Sequence, residues 1–475
     1  MTLVGSLAEA VAAVVGAARL RTHPLDLHLY RKDAGITSGE ASVIAFPESA
    51  SEVAELVRIA GRMDVPVVAR GAGTGLAGGA VPQDQALVLV MTRMNRIDVV
   101  DAENRTALVE PGVINLDLSR HTAPLRLHFA PDPSSQAACT IGGNVGNNSG
   151  GPHCLAEGST VNHVLAVEYV DTDGNLVRVG GPAPDPIGLD LRAVLVGSEG
   201  TLGIVTRALV KLTPDPPAVR TLLLWFDDVA DCAATVSGVI AEGVVPAALE
   251  MMDRPLIRAI ENFIHADLPV DAAAMLLAEV SGHPDAVDAE AAVVERIGRD
   301  HGAQVRVAQN EEERAVLWKG RKSAFGAVAQ IAPDYYLHDT VVPRTRLVEA
   351  MTRLYEIAER YDLTLLNTVH AGDGNLHPKL AFDGSDPEVA ARVHAAGEEM
   401  VQLAIDLGGA LSGEHGIGLE KRHLMGLVFG TVDLDAQARL REAFDPEARL
   451  NPHKVLPAGS RCAEFGRPVP EGTWV

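Results

Sequence analysis

The 475-residue chain is short of aromatic residues (4%), of cysteine (four) and of positive charge, with 40 Lys and Arg against 63 Asp and Glu for a formal net charge of −23. Each shortage excludes something. So acidic a surface repels phosphate backbones and anionic headgroups, which excludes a nucleic-acid partner and polybasic membrane anchoring. Cys139, Cys154, Cys232 and Cys462 are too few for a disulfide framework. None stands in a C-x-x-C pair, so a zinc ribbon or an iron–sulfur cluster on this chain is unsupported. No integral membrane segment is evident. The stretch from Met1 to Leu20 is apolar, but it carries Glu9 and lacks a positive residue ahead of its apolar part, the reverse of a secretory leader. Its spacing (Leu3, Leu7, Val11, Val14, Val15) predicts a packed amphipathic helix. The expectation is a reduced, cytoplasmic protein, peripheral to a membrane only through a partner.

What is plentiful is glycine, 45 residues, within a chain that is 47% apolar. Such a length suggests two or three domains at roughly 150 residues each. No repeat with a period of tens of residues recurs, which argues against a solenoid or propeller. Strand and helix patterns alternate first: strands over Val43–Phe46, Val65–Ala69 and Leu87–Met91, with a helix over Ser51–Met63. Paired short strands follow at Ile97–Val100 with Thr106–Val109, and at Val164–Val170 with Leu176–Val179. A strand over Gly203–Leu212 runs into Pro214, Pro216 and Pro217, which mark a boundary. Beyond it the pattern restarts, with strands at Thr221–Phe226, Ala274–Val280 and Gln304–Ala308 and helices at Ala230–Glu242, Asp285–Asp300 and Glu311–Ala329. Leu363–Val369 and Leu376–Phe382 read as a hairpin about Ala-Gly-Asp-Gly-Asn, and helices around Pro387–Leu407 and Leu434–Phe444 come last. This predicts an α+β arrangement in four parts: an N-terminal helical segment (1–38), a first domain (39–215), a second (216–430) and a C-terminal segment (431–475).

Three glycine-dense stretches crowd the first half. Arg70-Gly-Ala-Gly-Thr-Gly-Leu-Ala-Gly-Gly79 follows a short buried strand and leaves bare amides able to converge on an anion such as a pyrophosphate. It is no Walker A loop, since no Gly-Lys-Ser/Thr follows, and with Val81-Pro82 in place of a long helix it is a poor Rossmann fingerprint. Pro131-Asp-Pro-Ser-Ser, continuing through Cys139 to Gly151, supplies small and amide residues that can wrap a flat polar ligand. Gly197-Ser-Glu-Gly-Thr-Leu-Gly-Ile-Val205 leads into a strand. Any one alone could be a structural turn. Three together suit one long ligand with a phosphate group and a ring system.

A different chemistry gathers later. In His370-Ala-Gly-Asp-Gly-Asn-Leu-His377 the imidazoles flank a predicted turn and can share one side of it. Ser412-Gly-Glu-His-Gly-Ile-Gly418 adds Glu414 and His415. Two His and one carboxylate are a common ligand set for a divalent ion with open positions for substrate. The alternative is that the two His merely cap strand ends. Arg321 could hold a carboxylate bidentately or be a solvated helix Arg. Tyr335 and Tyr336 read as core or rim, and His163, His283, His338, His394 and His423 as structural or exposed.

Taken together, these motifs resemble the FAD-linked 2-hydroxyacid dehydrogenases of the vanillyl-alcohol oxidase (p-cresol methylhydroxylase-type) superfamily. Within it the chain is similar to the glycolate oxidase flavin subunit and to FAD-dependent D-lactate dehydrogenases. The resemblance spans about Ser42 to Pro457 and rests on Arg70–Gly75, Cys139–Gly151, Gly197–Thr206, His370–His377, Ser412–Gly418 and Asn451-Pro-His-Lys454. It implies an α+β fold: an FAD-binding domain of two subdomains, a cap domain, and a C-terminal segment that returns to the FAD domain. It assigns FAD contacts to Arg70, Gly71, Ala72, Gly73, Thr74, Gly75, Leu76, Pro131, Asp132, Ser134, Gly142, Gly143, Asn144, Gly146, Asn147, Ser149, Gly150, Glu199, Ile204 and Asn451. Some relatives bind FAD covalently through a His in the first loop; this loop has none, which implies non-covalent FAD. The same resemblance makes His370, His377 and Glu414 ligands of a divalent metal such as Zn or Mn, His415 the general base, and Arg321 and Asn375 the residues that fix the substrate.

The activity implied is oxidation of a small 2-hydroxyacid, with electrons passed to a quinone, a cytochrome or a partner subunit that carries any iron–sulfur relay. Oligomerisation is compatible with this. Apolar Phe325 and Leu337 favour glycolate or D-lactate over a diacid, which would want an extra cation; D-2-hydroxyglutarate is the alternative within the family. Outside it stand a metallohydrolase and a silent flavin-binding scaffold subunit.

Overall fold

The fold is described from a computed structural model, for residues 3–183 and 187–457. Cys462 lies outside the described residues; among the described residues Cys139, Cys154 and Cys232 form no disulfide with one another. The chain divides into two compact units. One comprises residues 1–150, 159–215 and 414–475, the other residues 151–158 and 216–413.

The first unit holds two sheets. Its four-stranded sheet runs in the order Leu20–Arg21, Ala41–Ala45, Ala86–Val90, Val67–Arg70, with the last three strands parallel. Parallel strands buried on both faces read as continuous apolar runs, and Ala41–Ala45 and Ala86–Val90 are buried at every position. The helices Leu3–Val15 and Ala50–Arg62 cover this sheet with the stripe their spacing predicts: Leu7, Val11 and Val15 pack with Val53, Leu56 and Val57. Ser49 caps the second of these helices by accepting the Glu52 N–H. The second sheet is antiparallel, ordered Ile97–Asp101, Thr106–Val109, Ile204–Lys211, Val164–Val170, Leu176–Gly180. Near the C-terminus, Leu450 bridges Val67 in parallel and the Asn451 N–H donates to Val67 O (2.7 Å), so a late segment extends an early sheet.

The second unit is one long sheet under helices. Its order is Gln304–Val307, Ala218–Phe226, Ala274–Gly282, Ala248–Asp253, Thr364–His370, Asn375–Phe382, Asp334–Leu337, with Thr340–Val341 also pairing to Asn375–Phe382. The hairpin forms as the sequence predicts, with Gly374 at φ +80° in its turn.

Several elements differ from the sequence reading. The glycine-dense stretch after Cys139 is not all loop: Ile141–Asn147 is helical, capped by Thr140, whose Oγ1 accepts the Gly143 N–H. A Cβ on Gly142 would lie 2.5 Å from Pro111 Cβ, so glycine there serves close packing. The helix expected over Glu311–Ala329 breaks at Ser323 into Glu311–Lys322 and Ala324–Val328. The strand Ala248–Asp253 and the helices Arg254–Ile264 and Leu347–Arg360 have no counterpart in the sequence reading.

Candidate active site

In the first unit the strand Val67–Arg70 delivers Arg70 to the start of the glycine loop. Arg70 is buried, its guanidinium lies 5.6 Å above the Tyr30 ring, and its Nη1 has no hydrogen-bond partner among the described residues. A buried guanidinium with an open donor is costly unless an anion completes it. The loop is pinned from outside: Gly75 O accepts the Ala34 N–H, and the Asp33 carboxylate accepts the Gly35 and Gly78 N–H groups, each at 2.9 Å. Burial pushes the Asp33 carboxyl above its usual range. Gly73 has φ +74°, and a Cβ there would lie 2.0 Å from Arg70 Nη2. Among the described residues the amides of Ala72, Gly73, Thr74 and Gly75 donate to no other group. Amides and guanidinium together make an anion cradle of the kind a pyrophosphate fills.

The other residues expected near the cofactor divide into two sets. Some already carry structural bonds: Asn144 Oδ1 accepts from Asn115 Nδ2, which also donates to Pro131 O, and Ser149 O accepts from Thr160. Ile204 packs in the core with Val170 and Leu450. Others face 414–418. Asn147 Nδ2 donates to His415 O (2.8 Å), and Glu199 Oε1 accepts the Ile417 and Gly418 N–H groups at 2.7 and 3.0 Å. Glu199 is fully enclosed, which pushes its carboxyl up, and its Oε2 has no partner among the described residues. Asn451 Nδ2 donates to Gly79 O and Glu199 O, while its Oδ1 is likewise unpartnered. Lys454 donates to Val81 O (2.6 Å), and burial pushes its ammonium down to about 7. Asp33, which pins the glycine loop, stands in no motif of the sequence. Within this unit Glu414 Oε1 and His415 Nε2 stand 3.9 Å apart.

In the second unit the hairpin register sets the chemistry. Directly opposed residues share a sheet face, so the pairs His370↔Asn375, Thr368↔His377 and Leu366↔Lys379 put His370, Asn375, His377 and Lys379 on one side. The imidazoles of His370 and His377 meet edge to face with centroids 5.0 Å apart. Across the next strand pair Glu250 opposes His370, and its carboxylate takes His370 Nδ1 at 2.7 Å and Arg321 Nε at 2.6 Å. A His370 that donates from Nδ1 presents its Nε2 lone pair, the second-partner pattern typical of metal-ligating His. Asp339 lies 3.5 Å from His377 Nε2 and accepts the Ser412 hydroxyl (2.6 Å) and the Gly413 N–H (3.0 Å), fixing the chain just ahead of Glu414. A Cβ on Gly413 would sit 1.7 Å from Asn375 Nδ2.

The structure therefore gathers Arg321, His370, Asn375 and His377 in the second unit, and Glu414 and His415 belong to the first. Sequence reasoning missed Glu250, Asp339 and Lys379, all fully buried. The available signal was a lone charge inside an apolar strand, as in Ala-Leu-Glu-Met-Met.

Comparison with known proteins gives two family matches. Residues 41–180 match the FAD binding domain family and residues 215–455 the FAD linked oxidases, C-terminal domain family. The chain is 45% identical over 425 residues to the glycolate oxidase subunit GlcD of Escherichia coli K12, covering 89% of this chain and 85% of that one. It is 40% identical to the Bacillus subtilis protein of the same name over 422 residues (88% and 90%). It is 31% identical to the D-lactate dehydrogenase of Anaerostipes hadrus over 426 residues (87% and 89%). In fold it is similar to p-cresol methylhydroxylase, with a TM-score of 0.82, 17% identity, and 96% and 97% of the two chains covered. Among the described residues no helix is long and apolar enough to cross a membrane. With an FAD-binding domain, and with a buried guanidinium and open amides that fit a pyrophosphate, the chain belongs to the FAD-linked 2-hydroxyacid dehydrogenases.

Proposed function

We propose that the protein oxidises a small 2-hydroxyacid, glycolate or D-lactate, to the 2-oxoacid, and passes the electrons to a partner subunit, a quinone or a cytochrome. The observation that carries this reading is the buried Glu250–His370–Arg321 arrangement beside His377: a His held for ligation and an Arg held for an anion on one sheet face. The names of the relatives, glycolate oxidase subunit and D-lactate dehydrogenase, support the substrate class, and the word subunit supports a partner chain. D-2-hydroxyglutarate is the alternative substrate.

His370, His377 and Glu414 would hold the divalent ion; a set of two imidazoles and one carboxylate suits zinc or manganese. Arg70, the 71–76 amides, Pro131, Asp132, Ser134, the 142–150 segment, Glu199, Ile204 and Asn451 would hold FAD without a covalent bond. When bound, the ion supplies Lewis-acid pull on the substrate hydroxyl, and FAD supplies at N5 an acceptor for the Cα hydride. The chain's own residues do the rest. Arg321 and Asn375 orient the carboxylate, with Arg321 Nη2 offering a donor that meets no acceptor among the described residues. His415 receives the hydroxyl proton on an imidazole nitrogen, a group whose ordinary pKa near 6.5 suits it as a base at neutral pH. Glu250 keeps His370 in one tautomer and balances the buried Arg321 charge.

Elemental analysis with optical titration tests this reading. Purified protein should contain stoichiometric divalent metal, H370A and H377A should lose it, and anaerobic D-lactate or glycolate should bleach the flavin band of the wild type. Metal retained in both variants would remove the ligand assignment. A yellow protein that no 2-hydroxyacid bleaches would favour the scaffold alternative.

A further inference from the structure

The loop that carries Arg70 is closed on its outer side by chain that precedes the matched FAD binding domain. Residues 31–40 form no helix or strand; they run half-exposed from the helix Pro24–Leu29 to the strand Ala41–Ala45. Along that run they meet the glycine loop three times. The Ala34 N–H donates to Gly75 O (2.9 Å), Asp33 Oδ2 accepts the Gly78 N–H (2.9 Å), and the Glu40 N–H donates to Pro82 O (3.1 Å). Asp33 Oδ1 meanwhile accepts the Gly35 N–H of its own turn (2.9 Å). The approach is close. A Cβ on Gly35 would lie 2.4 Å from Leu76 O, and one on Gly39 would lie 1.8 Å from Pro82 O, so only glycine fits there.

These contacts decide where the loop's own amides point. A trans peptide sets its C=O and N–H on opposite sides. A Gly75 carbonyl turned out to Ala34 therefore aims the Leu76 N–H away from residues 31–40. That amide, like those of residues 72–75, donates to no other group among the described residues. Arg70 is steadied from the same side. The Tyr30 ring lies 5.6 Å from its guanidinium carbon, and Phe46 meets that ring edge-on at 5.9 Å. A ring face holds a guanidinium without using its N–H donors, and Nη1 stays open for an anion.

We propose that residues 30–40 are a strap that shapes the cofactor's pyrophosphate site, with Asp33 and Tyr30 as its positioning residues. Asp33 fixes the loop's backbone, and Tyr30 roofs Arg70 while leaving its donors free. Neither has to touch FAD. The inference rests on the FAD reading of the Arg70 loop and adds to it a segment that none of the motifs contains.

The test uses the full chain stripped of FAD, titrated with FAD by flavin fluorescence and with ADP by calorimetry. ADP keeps the pyrophosphate and lacks the flavin. D33A should weaken both ligands by the same factor, roughly 10- to 100-fold, the value of one hydrogen bond to a charged group. D33N, left with one acceptor oxygen for two amides, should fall between D33A and the wild type. Y30L should weaken both ligands by roughly 2- to 5-fold, as for loss of an exposed cation–π contact, and Y30F should match the wild type. Denaturant unfolding of each FAD-free variant checks that the chain is folded, so that the loss is one of shape. Wild-type affinity for both ligands in D33A and Y30L overturns the inference and leaves the FAD reading standing. So does FAD weakened with ADP unchanged, since Asp33 would then act on the flavin end. Should D33A not fold, the Tyr30 pair decides, and Y30L equal to Y30F overturns the strap. A wild type that takes up no FAD overturns both.

Discussion

Around Arg70 the first unit offers peptide N–H groups and close-packed glycines, whereas the sheet face of the second unit offers ionised side chains held by other side chains. The two depend on sequence differently. A backbone cradle tolerates many side chains but no Cβ at the crowded positions. A side-chain cluster needs particular residues, since each buried charge is compensated by one neighbour. Chemistry on an anionic substrate can be tuned in the second region at single positions, while cofactor retention in the first responds to shape.

That contrast can be broken in four places. The largest effect belongs to His415: H415A should keep FAD and metal and slow flavin reduction by about 10²–10⁴-fold, as for loss of a general base. Rapid-mixing absorbance measures this, and unchanged kinetics would remove His415 from the mechanism. Next is Glu250. Replacing it by Ala strands the buried Arg321 and should cost about 3–5 kcal/mol in denaturant unfolding; a loss below about 1 kcal/mol would mean that Arg321 has another counter-charge.

Third is a pH effect at Asp253, which burial pushes up to about 6. A carboxyl raised in the folded state stabilises while protonated, fully so below its unfolded value near 3.9, and that contribution is lost as pH rises through about 6. Between these values wild type should lose roughly 3 kcal/mol relative to D253N. Parallel stability curves for the two proteins would show that Asp253 titrates normally. The smallest effect is at Gly73, where φ is +74°. G73A should cost about 1–2 kcal/mol through left-handed strain and lower the flavin-to-protein absorbance ratio, because Arg70 must move from under the new methyl. An unchanged ratio would place the cofactor away from this loop.

The same contrast explains what could be read in the sequence. The parallel strands and the helix Ala50–Arg62 were legible because apolar periodicity reports burial directly. The His370–His377 pair was legible because a glycine turn fixes a register, and register decides which side chains meet. Glu250, Asp339 and Lys379 were not, because each depends on a partner from a distant strand or helix that local pattern does not encode. The glycines after Cys139 suggested a wrapping loop, but the helix Ile141–Asn147 forms there because Thr140 caps it and Pro111 packs against Gly142. Asn147 and Glu199 were expected beside the cofactor; their visible bonds hold the backbone of His415, Ile417 and Gly418.

The most direct measurement is the single-turnover rate of flavin reduction by D-lactate set against its α-deuterated form, without oxygen. Cleavage of the Cα–H bond in the step that reduces FAD predicts a slower rate with deuterium in the wild type and no reduction in H370A that still holds flavin. Equal rates for the two isotopologues, together with flavin in H370A that D-lactate reduces as fast as in wild type, would contradict the account.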